Sequence, residues 1–366
     1  MTNIPTKSTA LYANKEGKVV IHDLPFPNPQ KGEILIKVLY SGVNLSDVRT
    51  IEFFGLRNYA LGSEFCGEVL ESSSLTSTPF KAGDIVAGIV AAGKSRDSRH
   101  AAHQEYITVD PDWVFKVPEN LPPQAAAGLS IVVQTASNAL FNHLRLPLPP
   151  SVAAGTIDNG ASSPMGTLVV WGGATGVGMA AIQLGRASRV SAIVAIASAK
   201  RHDFLKFLGA THCFDYHDPG VIEKVKQALQ GTKGIIWGLD ALGSVENPVS
   251  QEVLKSAIPP RDEVRLATVL LAPHEGFEAV LGSRQFHVEF SLPDGTTLSF
   301  PKDDALADRH WRGFRWVIDN YGGDYKPTPV RVFEGSGKDA IGELHKMWHM
   351  SNFGKVVLKH PLHQES

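Results

Sequence analysis

Short apolar runs alternate with segments of helical periodicity from Gly166 to about residue 271. The apolar runs have the length of β-strands and cover residues 168–171, 192–197, 213–215, 234–240 and 266–271. The helical segments between them cover residues 179–188, 202–208 and 221–230. Strands that alternate with helices in this way predict an α/β domain with a doubly wound parallel sheet.

The first part of the chain shows a β-rich pattern, in which proline and glycine separate the apolar runs. The runs cover residues 19–21, 33–40, 67–70 and 84–88. Glu33 and Lys37 interrupt the apolar residues of the second run, which predicts an antiparallel sheet with one solvated face. A helical pattern follows from about Pro123 to Leu144.

Turn-forming residues and hydrophobic periodicity predict three further features of the chain. Residues 147–164 are rich in Pro, Gly and Ser without periodicity, which predicts a surface loop between domains. The Asp294-Gly295 dipeptide between two strand-like runs, 287–292 and 296–300, predicts a β-hairpin. Helical segments at 311–320 and 338–350 precede a last strand at 354–358.

Composition restricts the class of protein. The chain has 366 residues, 43% hydrophobic and 20% charged, which indicates a globular protein of about two domains. A net charge of −2 without a basic block argues against a nucleic-acid partner. Neither a membrane-spanning run nor a secretory signal is visible, so no membrane partner is expected. Two cysteines, Cys66 and Cys213, cannot build a disulfide framework, and the expected location is the cytoplasm.

The strand at 168–171 runs directly into a glycine-rich turn and a helical segment. Such a turn lets a pyrophosphate approach the backbone at the N-terminus of the helix. The next strand arrives after one helix length, as a dinucleotide-binding βαβ unit requires. The alternative is a turn that is merely tight. The predicted cofactor-binding residues are Gly173, Ala174, Thr175, Gly176, Val177 and Gly178, with Thr175 binding a phosphate oxygen through its hydroxyl.

The residues after the second strand predict the cofactor type. NAD-binding domains place an acidic residue there, whose charge would repel a 2′-phosphate. This chain has Ser198, Lys200 and Arg201 instead, and Tyr216 after the next strand can add a hydroxyl. The prediction is therefore NADPH, with a solvated helix start as the alternative for the two cations. Asp240 and Gly243, which end the fourth strand, are expected near the nicotinamide half.

Several motifs resemble the medium-chain dehydrogenase/reductase superfamily. They are residues 42–47, 62–69, 82–88, 171–178 and 353–358. Their order is most similar to the zinc-free branch of quinone oxidoreductases and enoyl reductases. The Trp-Gly-Gly form of the turn and residues 197–198, 208–210 and 214–216 resemble the fungal subgroup that includes trans-acting enoyl reductases of polyketide synthases.

The resemblance implies a domain organisation. A GroES-like β-rich catalytic domain comprises residues 1–150 and 306–366, a Rossmann NADPH-binding domain comprises 151–305, and the active site lies in the cleft. Lys355, which follows Gly354 in the family pattern, is expected to bind the cofactor mainly through its backbone.

Zinc is not expected. The zinc alcohol dehydrogenases of this superfamily carry Cys where this chain has Asn44, and His where it has Ser63. A catalytic zinc needs three protein ligands. The region near 93–103, which corresponds to the structural zinc lobe, contains no cysteine.

Without zinc, a carbonyl must be polarised by hydrogen bonds or a cation, and the expected reaction is conjugate reduction. NADPH supplies a hydride to the β-carbon of an α,β-unsaturated carbonyl, an enolate forms, and a proton reaches the α-carbon. The trans-acting enoyl reductases have Asn-Pro-x-Asp-x-Lys where this chain runs from Asn44 to Arg49. Arg49 keeps the charge but is a poor proton donor, so we expect it to bind the enolate or a carboxylate, with water as the proton source. The alternative is a surface arginine.

Asn44, Gln134 and Thr135 complete the predicted catalytic set, and Asp47 has a supporting role. Asn44 is expected at the floor of the cleft, while Asp47 either holds Arg49 or caps the following helical turn. Gln134 and Thr135 follow an apolar stretch in the helix that, in the family, faces the nicotinamide ribose and the substrate. A buried polar group needs a partner, and a cofactor can supply one. The alternative is a polar stripe on an exposed helix face.

These expectations favour an enoyl reductase of fungal secondary metabolism, acting on a carrier-bound polyketide or a free enone. A polyketide synthase is the expected partner in the first case. The alternatives are a detoxifying quinone or alkenal reductase and a non-enzymatic NADPH-binding protein. The chain is expected to be a monomer or a homodimer.

Overall fold

The computed structural model describes residues 5–72, 78–90, 93, 96–162, 165–246, 248–292, 294–348 and 353–363. Positions 94, 95, 163, 164, 293, 349 and 350, which belong to segments discussed above, lie outside these residues. The chain divides into two units. Unit 1 comprises Met1–Ile131, Phe286–Lys302 and Pro329–Ser366, and unit 2 comprises Val132–Gln285 and Asp303–Thr328.

Unit 1 is mainly β-structure. Its strands are β1 (Lys7–Ala13), β2 (Val19–Pro25), β3 (Ile34–Gly42), β4 (Tyr59–Ala60), β5 (Glu64–Ser72), β6 (Ile85–Ile89), β7 (Tyr106–Val109), β8 (Val114–Lys116), β15 (Val288–Ser291), β16 (Thr297–Phe300), β17 (Val330–Phe333) and β18 (Lys355–Lys359). Its helices are α1 (Leu45–Glu52) and α8 (Gly337–Trp348), and it contains the first part of α2 (Pro123–Ser137).

The main sheet of unit 1 has the order β17-β18-β3-β5-β6-β8, with β7 also paired to β3. Apart from the parallel pair β17–β18, the pairs are antiparallel. The antiparallel pairing that the sequence predicts is confirmed. Ile34, Ile36 and Val38 of β3 are buried on one face, whereas on the other face Lys37 is exposed and Leu35 is buried. A second sheet has the order β2-β1-β4.

Unit 2 contains the parallel sheet. Its strands are β9 (Gly166–Trp171), β10 (Ala192–Ile196), β11 (His212–Phe214), β12 (Ile235–Asp240), β13 (Val264–Thr268) and β14 (Phe277–Ala279). Its helices are the rest of α2, α3 (Gly176–Ala187), α4 (His202–Leu208), α5 (Val221–Gln230), α6 (Ser250–Ala257) and α7 (Asp304–Asp319). The order β11-β10-β9-β12-β13-β14 confirms the predicted doubly wound sheet. β9 and β12 are buried along their whole length, as central parallel strands usually are.

The units differ from the predicted domain boundaries at 150/151 and 305/306. The boundary falls inside α2, between Ile131 and Val132. The predicted hairpin, β15–β16, belongs to unit 1, where the Phe290 ring lies 4.5 Å from that of Phe54. α7 belongs to unit 2 because it packs on the π-helical turn Asn138–His143 that follows α2.

The segment 147–164 lies at the surface, as its composition predicts, but its described residues belong to unit 2 and do not separate the two units. Within it, Leu148 and Ala153 are buried. The carboxylate of Asp158 accepts from the amide of Leu148 (3.0 Å) and pairs with Arg309 of α7 (2.6 Å). Charged anchors therefore fix a sequence that looks unstructured from composition alone.

None of the described helices is long and apolar enough to cross a membrane.

Replacing Asp158 by Ala should lower the free energy of unfolding by about 1–3 kcal/mol, because the buried amide of Leu148 loses its acceptor and Arg309 loses its counter-charge. Urea unfolding measures this change. Asp308→Ala is the matched control, since Asp308 pairs with Arg312 but is 60% exposed and should cost about 0–1 kcal/mol. Equal losses in the two variants would contradict the anchoring role of Asp158.

Candidate active site

The carboxyl ends of the parallel strands of unit 2 meet at one edge of the sheet. Trp171, the last residue of β9, is paired with Ile196 of β10 on one side and with Asp240 of β12 on the other. Because the strand ends are in register, the segments that follow them emerge at the same edge. Ligands of open α/β sheets bind at this edge. The predicted cofactor residues of unit 2 that follow β9, β10, β11 and β12 are thus brought together.

The glycine-rich turn after β9 leads directly into α3. Gly172 and Gly173 donate to the carbonyl of Ile196. A Cβ on Gly178 would clash with the carbonyl oxygen of Gly172, so glycine at this position lets α3 pack closely on the turn. Within the described chain, no protein acceptor is found for the amides of Gly176 and Val177 in the first turn of α3. Two free N–H donors at the N-terminus of a helix fit a pyrophosphate group.

Thr175 is the N-cap of α3. Its hydroxyl accepts from the amide of Gly178 (3.0 Å) and donates to the carbonyl of Ala241 (3.1 Å). The hydroxyl proton is committed to the protein in this arrangement. A phosphate contact by the Thr175 hydroxyl stays a prediction, and its observed contacts join the turn to the end of β12.

Ser198 directly precedes a 3₁₀ turn, Ala199–Arg201, at the end of β10. Ser198 and Arg201 are half-buried and Lys200 is exposed. Tyr216 is 52% exposed, with its ring 4.0 Å from that of His217.

Sequence reasoning did not consider Asp215, which lies at the same edge as these residues. Hydrogen bonds from the His217 amide and ring, together with the Ala199 amide, lower the pKa of Asp215. The edge after β10 and β11 therefore carries two cationic side chains and one ionised carboxylate.

Asp240 is buried and its carboxylate is fully used inside the protein. One oxygen accepts from the amides of Leu242 and Gly243 (both 3.1 Å), and the other from the hydroxyls of Ser250 (2.8 Å) and Thr268 (2.9 Å). Burial raises the pKa of Asp240 despite these bonds. Asp240 thus shapes the loop that carries Gly243, and a direct cofactor contact of either residue stays a prediction.

The two polar residues of α2 face different surroundings. Val132 lies beside the glycine turn, since a Cβ on Gly176 would be 2.8 Å from its Cγ1. Thr135 follows Val132 by three residues and therefore shares its face of the helix. Gln134 instead points to α7, where its Oε1 lies 3.4 Å from Nε2 of His310. Both residues are buried, so they do not form an exposed polar stripe.

Sequence reasoning missed His310, which is completely buried. Its Nδ1 hydrogen bonds to the carbonyl of Leu306 (2.9 Å), and burial lowers its pKa to about 4. The ring is therefore neutral at physiological pH. Gln134 is thereby part of the core beside α7, and a catalytic role for it stays a prediction.

In unit 1, Asn44 precedes α1 and Arg49 lies on it, half-buried. The carboxylate of Asp47 accepts from the amide of Asn44 (2.7 Å), so of its two expected roles the helix cap is observed. The side chain of Asn44 donates to Glu64 (3.0 Å) and to the carbonyl of Gly42 (3.2 Å). Its donor groups are thus committed to the protein.

Lys355 forms a buried ion pair that the sequence did not reveal. Its ammonium lies 2.6 Å from Oε1 of Glu64 and donates to Oδ1 of Asn44. The other oxygen of Glu64 accepts from the amide of Ile131 in α2 (2.7 Å). Lys355 also donates its backbone amide to Pro329 (2.8 Å), and its contact with a cofactor stays a prediction. Glu64 stood in a quoted motif, but its partner lies 291 residues away (355 − 64) and no local signal joins them.

Among the described residues, no group of three or more His, Cys, Asp or Glu side chains could hold a metal ion.

Comparison with known proteins identifies the family. The alcohol dehydrogenase GroES-like domain matches residues 30–119. A zinc-type alcohol dehydrogenase-like protein of Schizosaccharomyces pombe is 31% identical over 271 residues, which are 70% of this chain and 75% of that protein. Dehydrogenase orf1 of Aspergillus niger is 30% identical over 372 residues, covering 98% of this chain and all of that protein. Trans-enoyl reductase himH of Aspergillus japonicus is 35% identical over 218 residues, 58% of this chain and 59% of that protein.

Solved structures have the same fold. The CurK enoyl reductase gives a TM-score of 0.68 at 19% identity, covering 97% of this chain and 99% of that one. The quinone oxidoreductase of Coxiella burnetii gives 0.61 at 20% identity, with the same coverage. The chain therefore belongs to the medium-chain dehydrogenase/reductase superfamily, a family of oxidoreductases that implies a nicotinamide cofactor.

Proposed function

We propose that this protein is a zinc-independent reductase that uses NADPH to reduce an activated carbon–carbon double bond in a polyketide or other secondary-metabolite intermediate. The observation that carries the proposal is the edge of the parallel sheet in unit 2, where two free amides in the first turn of α3 and two cations after β10 follow neighbouring strands. The enoyl reductase relatives support the substrate class.

The choice of NADPH rests on charge at the end of β10. No acidic residue stands between Ala197 and His202, and Lys200 and Arg201 provide two cations for a 2′-phosphate. Asp215 is the opposing influence, because its ionised carboxylate lies at the same edge. Two hydrogen bonds from His217 already occupy one of its oxygens, which supports the cations as the groups that bind the phosphate.

In the proposed reaction the bound nicotinamide supplies the hydride. Arg49 stabilises the negative charge that develops on the carbonyl oxygen of the substrate, since a guanidinium keeps its charge throughout catalysis. Thr135 lies on the face of α2 that adjoins the glycine turn, which supports a role beside the cofactor.

The substrate is tested with a panel of free enones and the corresponding carrier-tethered thioesters. NADPH oxidation that is fast only with tethered substrates supports work alongside a polyketide synthase. Equal rates with free enones support a free substrate, and reduction of quinones alone would favour the detoxifying alternative. NADPH binding without turnover of any substrate would leave a non-enzymatic binding protein.

The first prediction concerns cofactor preference. We expect at least about tenfold tighter binding of NADPH than of NADH, because one charge-assisted hydrogen bond is worth about 1.5–3 kcal/mol. Lys200→Ala/Arg201→Ala should weaken NADPH while leaving NADH nearly unchanged. Fluorescence titration of both cofactors measures this, and equal affinities in the wild type would refute the assignment.

The second prediction concerns Arg49. Arg49→Ala should slow the chemical step by about 100-fold or more, as the loss of an oxyanion donor does elsewhere, with NADPH affinity retained. Arg49→Lys should keep much of the rate if charge is what matters. Single-turnover kinetics separate these cases. Lys7→Ala, which removes an exposed cation of unit 1, is the control, and a wild-type rate for Arg49→Ala would exclude the role.

The third prediction concerns metals. Chelators should leave the activity unchanged, because Asn44 and Ser63 stand where the zinc enzymes have ligands and a catalytic zinc needs three. Activity is measured before and after dialysis against a chelator, together with the metal content. One zinc per chain, with activity lost on its removal, would overturn this part of the proposal.

A further inference from the structure

Four buried polar side chains of unit 1 form a continuous chain of hydrogen bonds. Nε2 of His103 lies 3.2 Å from Oδ2 of Asp47, and its Nδ1 lies 2.8 Å from the hydroxyl of Ser41. The same hydroxyl lies 2.7 Å from Nε2 of His360. The side chain of His103 is completely buried and that of Asp47 is 1% exposed. None of these four residues belongs to the predicted catalytic set.

The direction of the bond between His103 and Asp47 follows from the chemistry of the two groups. A carboxylate only accepts, so His103 donates from Nε2 to Asp47. The hydroxyl of Ser41 joins Nδ1 of His103 to Nε2 of His360, donating to one ring and accepting from the other. Burial lowers the pKa of His360 to about 3, so that ring is neutral at physiological pH.

The backbone holds the His103 ring in a fixed place. Its amide donates to the carbonyl of Leu61 and its carbonyl accepts from the amide of Leu11, both at 2.9 Å. Gly62 has φ +98°, and a Cβ there would clash with the amide nitrogen of His103. His103 is therefore anchored to β1 and to the residues after β4 before its ring contacts anything.

Asp47 connects the fixed His103 ring to the start of α1. Besides His103, its Oδ2 accepts from the amide of Asn44, the residue at which α1 begins. α1 has eight residues, too few to be stable by itself, so its direction depends on such contacts. Arg49 lies on the same helix, two residues after Asp47.

We propose that His103 is a positioning residue for the reduction: through Asp47 it fixes the start of α1 and thereby the place of Arg49. The inference rests on the proposed function of Arg49. His103 acts only through the Nε2 contact, whereas the Nδ1 contact to Ser41 contributes to packing.

The two contacts can be separated by two substitutions of equal kind. In His103→Gln the amide nitrogen takes the place of Nε2, so the bond to Asp47 is kept and that to Ser41 is lost. In His103→Asn the amide takes the place of Nδ1, so the bond to Ser41 is kept and that to Asp47 is lost. Each variant gives up one buried hydrogen bond, and their melting temperatures should fall by similar amounts.

Three measurements are made on both variants and the wild type. The rate of single-turnover reduction should fall by about 100-fold in His103→Asn and stay within about threefold of the wild type in His103→Gln, since misplacing a catalytic group by about 1 Å costs that much. NADPH affinity should be unchanged in both. Hydrogen exchange of the amides of α1 should be faster in His103→Asn than in His103→Gln.

The outcomes keep the two levels apart. A wild type that reduces no enone refutes the proposed function, and the exchange comparison then still tests whether His103 holds α1. An active wild type with equal rates and equal exchange in the two variants overturns the inference about His103. A variant that fails to fold is replaced by Asp47→Asn, which weakens the same bond from the other side and should show the slow rate with retained NADPH affinity.

Discussion

The buried carboxylate of Glu64 is the group on which the arrangement of unit 1 depends. A carboxylate without solvent is costly unless it is paired and hydrogen-bonded, and Glu64 has partners on both oxygens. The partners come from β18, from the start of α1 and from α2. Removing Lys355 leaves an uncompensated buried charge, which costs about 3–5 kcal/mol. Segments more than 300 residues apart in sequence are thereby held to one point.

The same constraint limits what the neighbouring residues can do. Asn44 spends both amide donors on Gly42 and Glu64, and its oxygen accepts from Lys355. Asn44 thus links the buried ion pair of Glu64 and Lys355 to the start of α1. The Glu64 network acts on the side chain of Asn44 and the His103 network on its backbone, so two independent buried networks converge on the residue before α1.

Unit 2 contains a comparable device at the end of β12. Asp240 accepts four hydrogen bonds, from two amides of the following loop and from two hydroxyls on β13 and α6. Thr175 connects the glycine turn to the same place through the carbonyl of Ala241. Hydrogen bonds within the protein thus hold the edge of the sheet in place, and preorganisation of this kind lowers the cost of binding.

Strands and helices with a clear local pattern of apolar residues or a characteristic turn were predicted from the sequence. β9 to β13 follow from apolar runs, α3 to α5 from periodicity, and the β15–β16 hairpin from its Asp-Gly turn. β1 was not predicted, because its sequence Lys7–Ala13 mixes polar and small residues and gains its burial from β2 and β4.

The division into units was not predicted either. It depends on contacts between distant segments, such as those between α7 and Asn138–His143. The partners of Glu64, Asp47 and Asp158 escaped prediction for the same reason: a buried charge is recognisable only when the group that neutralises it is known.

The proposed reduction needs a proton at the α-carbon, and the environments of the side chains in unit 1 limit which of them can donate it. Arg49 keeps its proton under all ordinary conditions. Lys355 is a possible acid by its chemistry, but giving up its proton would leave Glu64 ionised in the interior without its counter-charge. Burial raises the pKa of Cys66 to about 12, so its thiol holds its proton as well. The protein therefore places a permanent cation where related enzymes have a lysine, and in the proposed mechanism the α-carbon takes its proton from water.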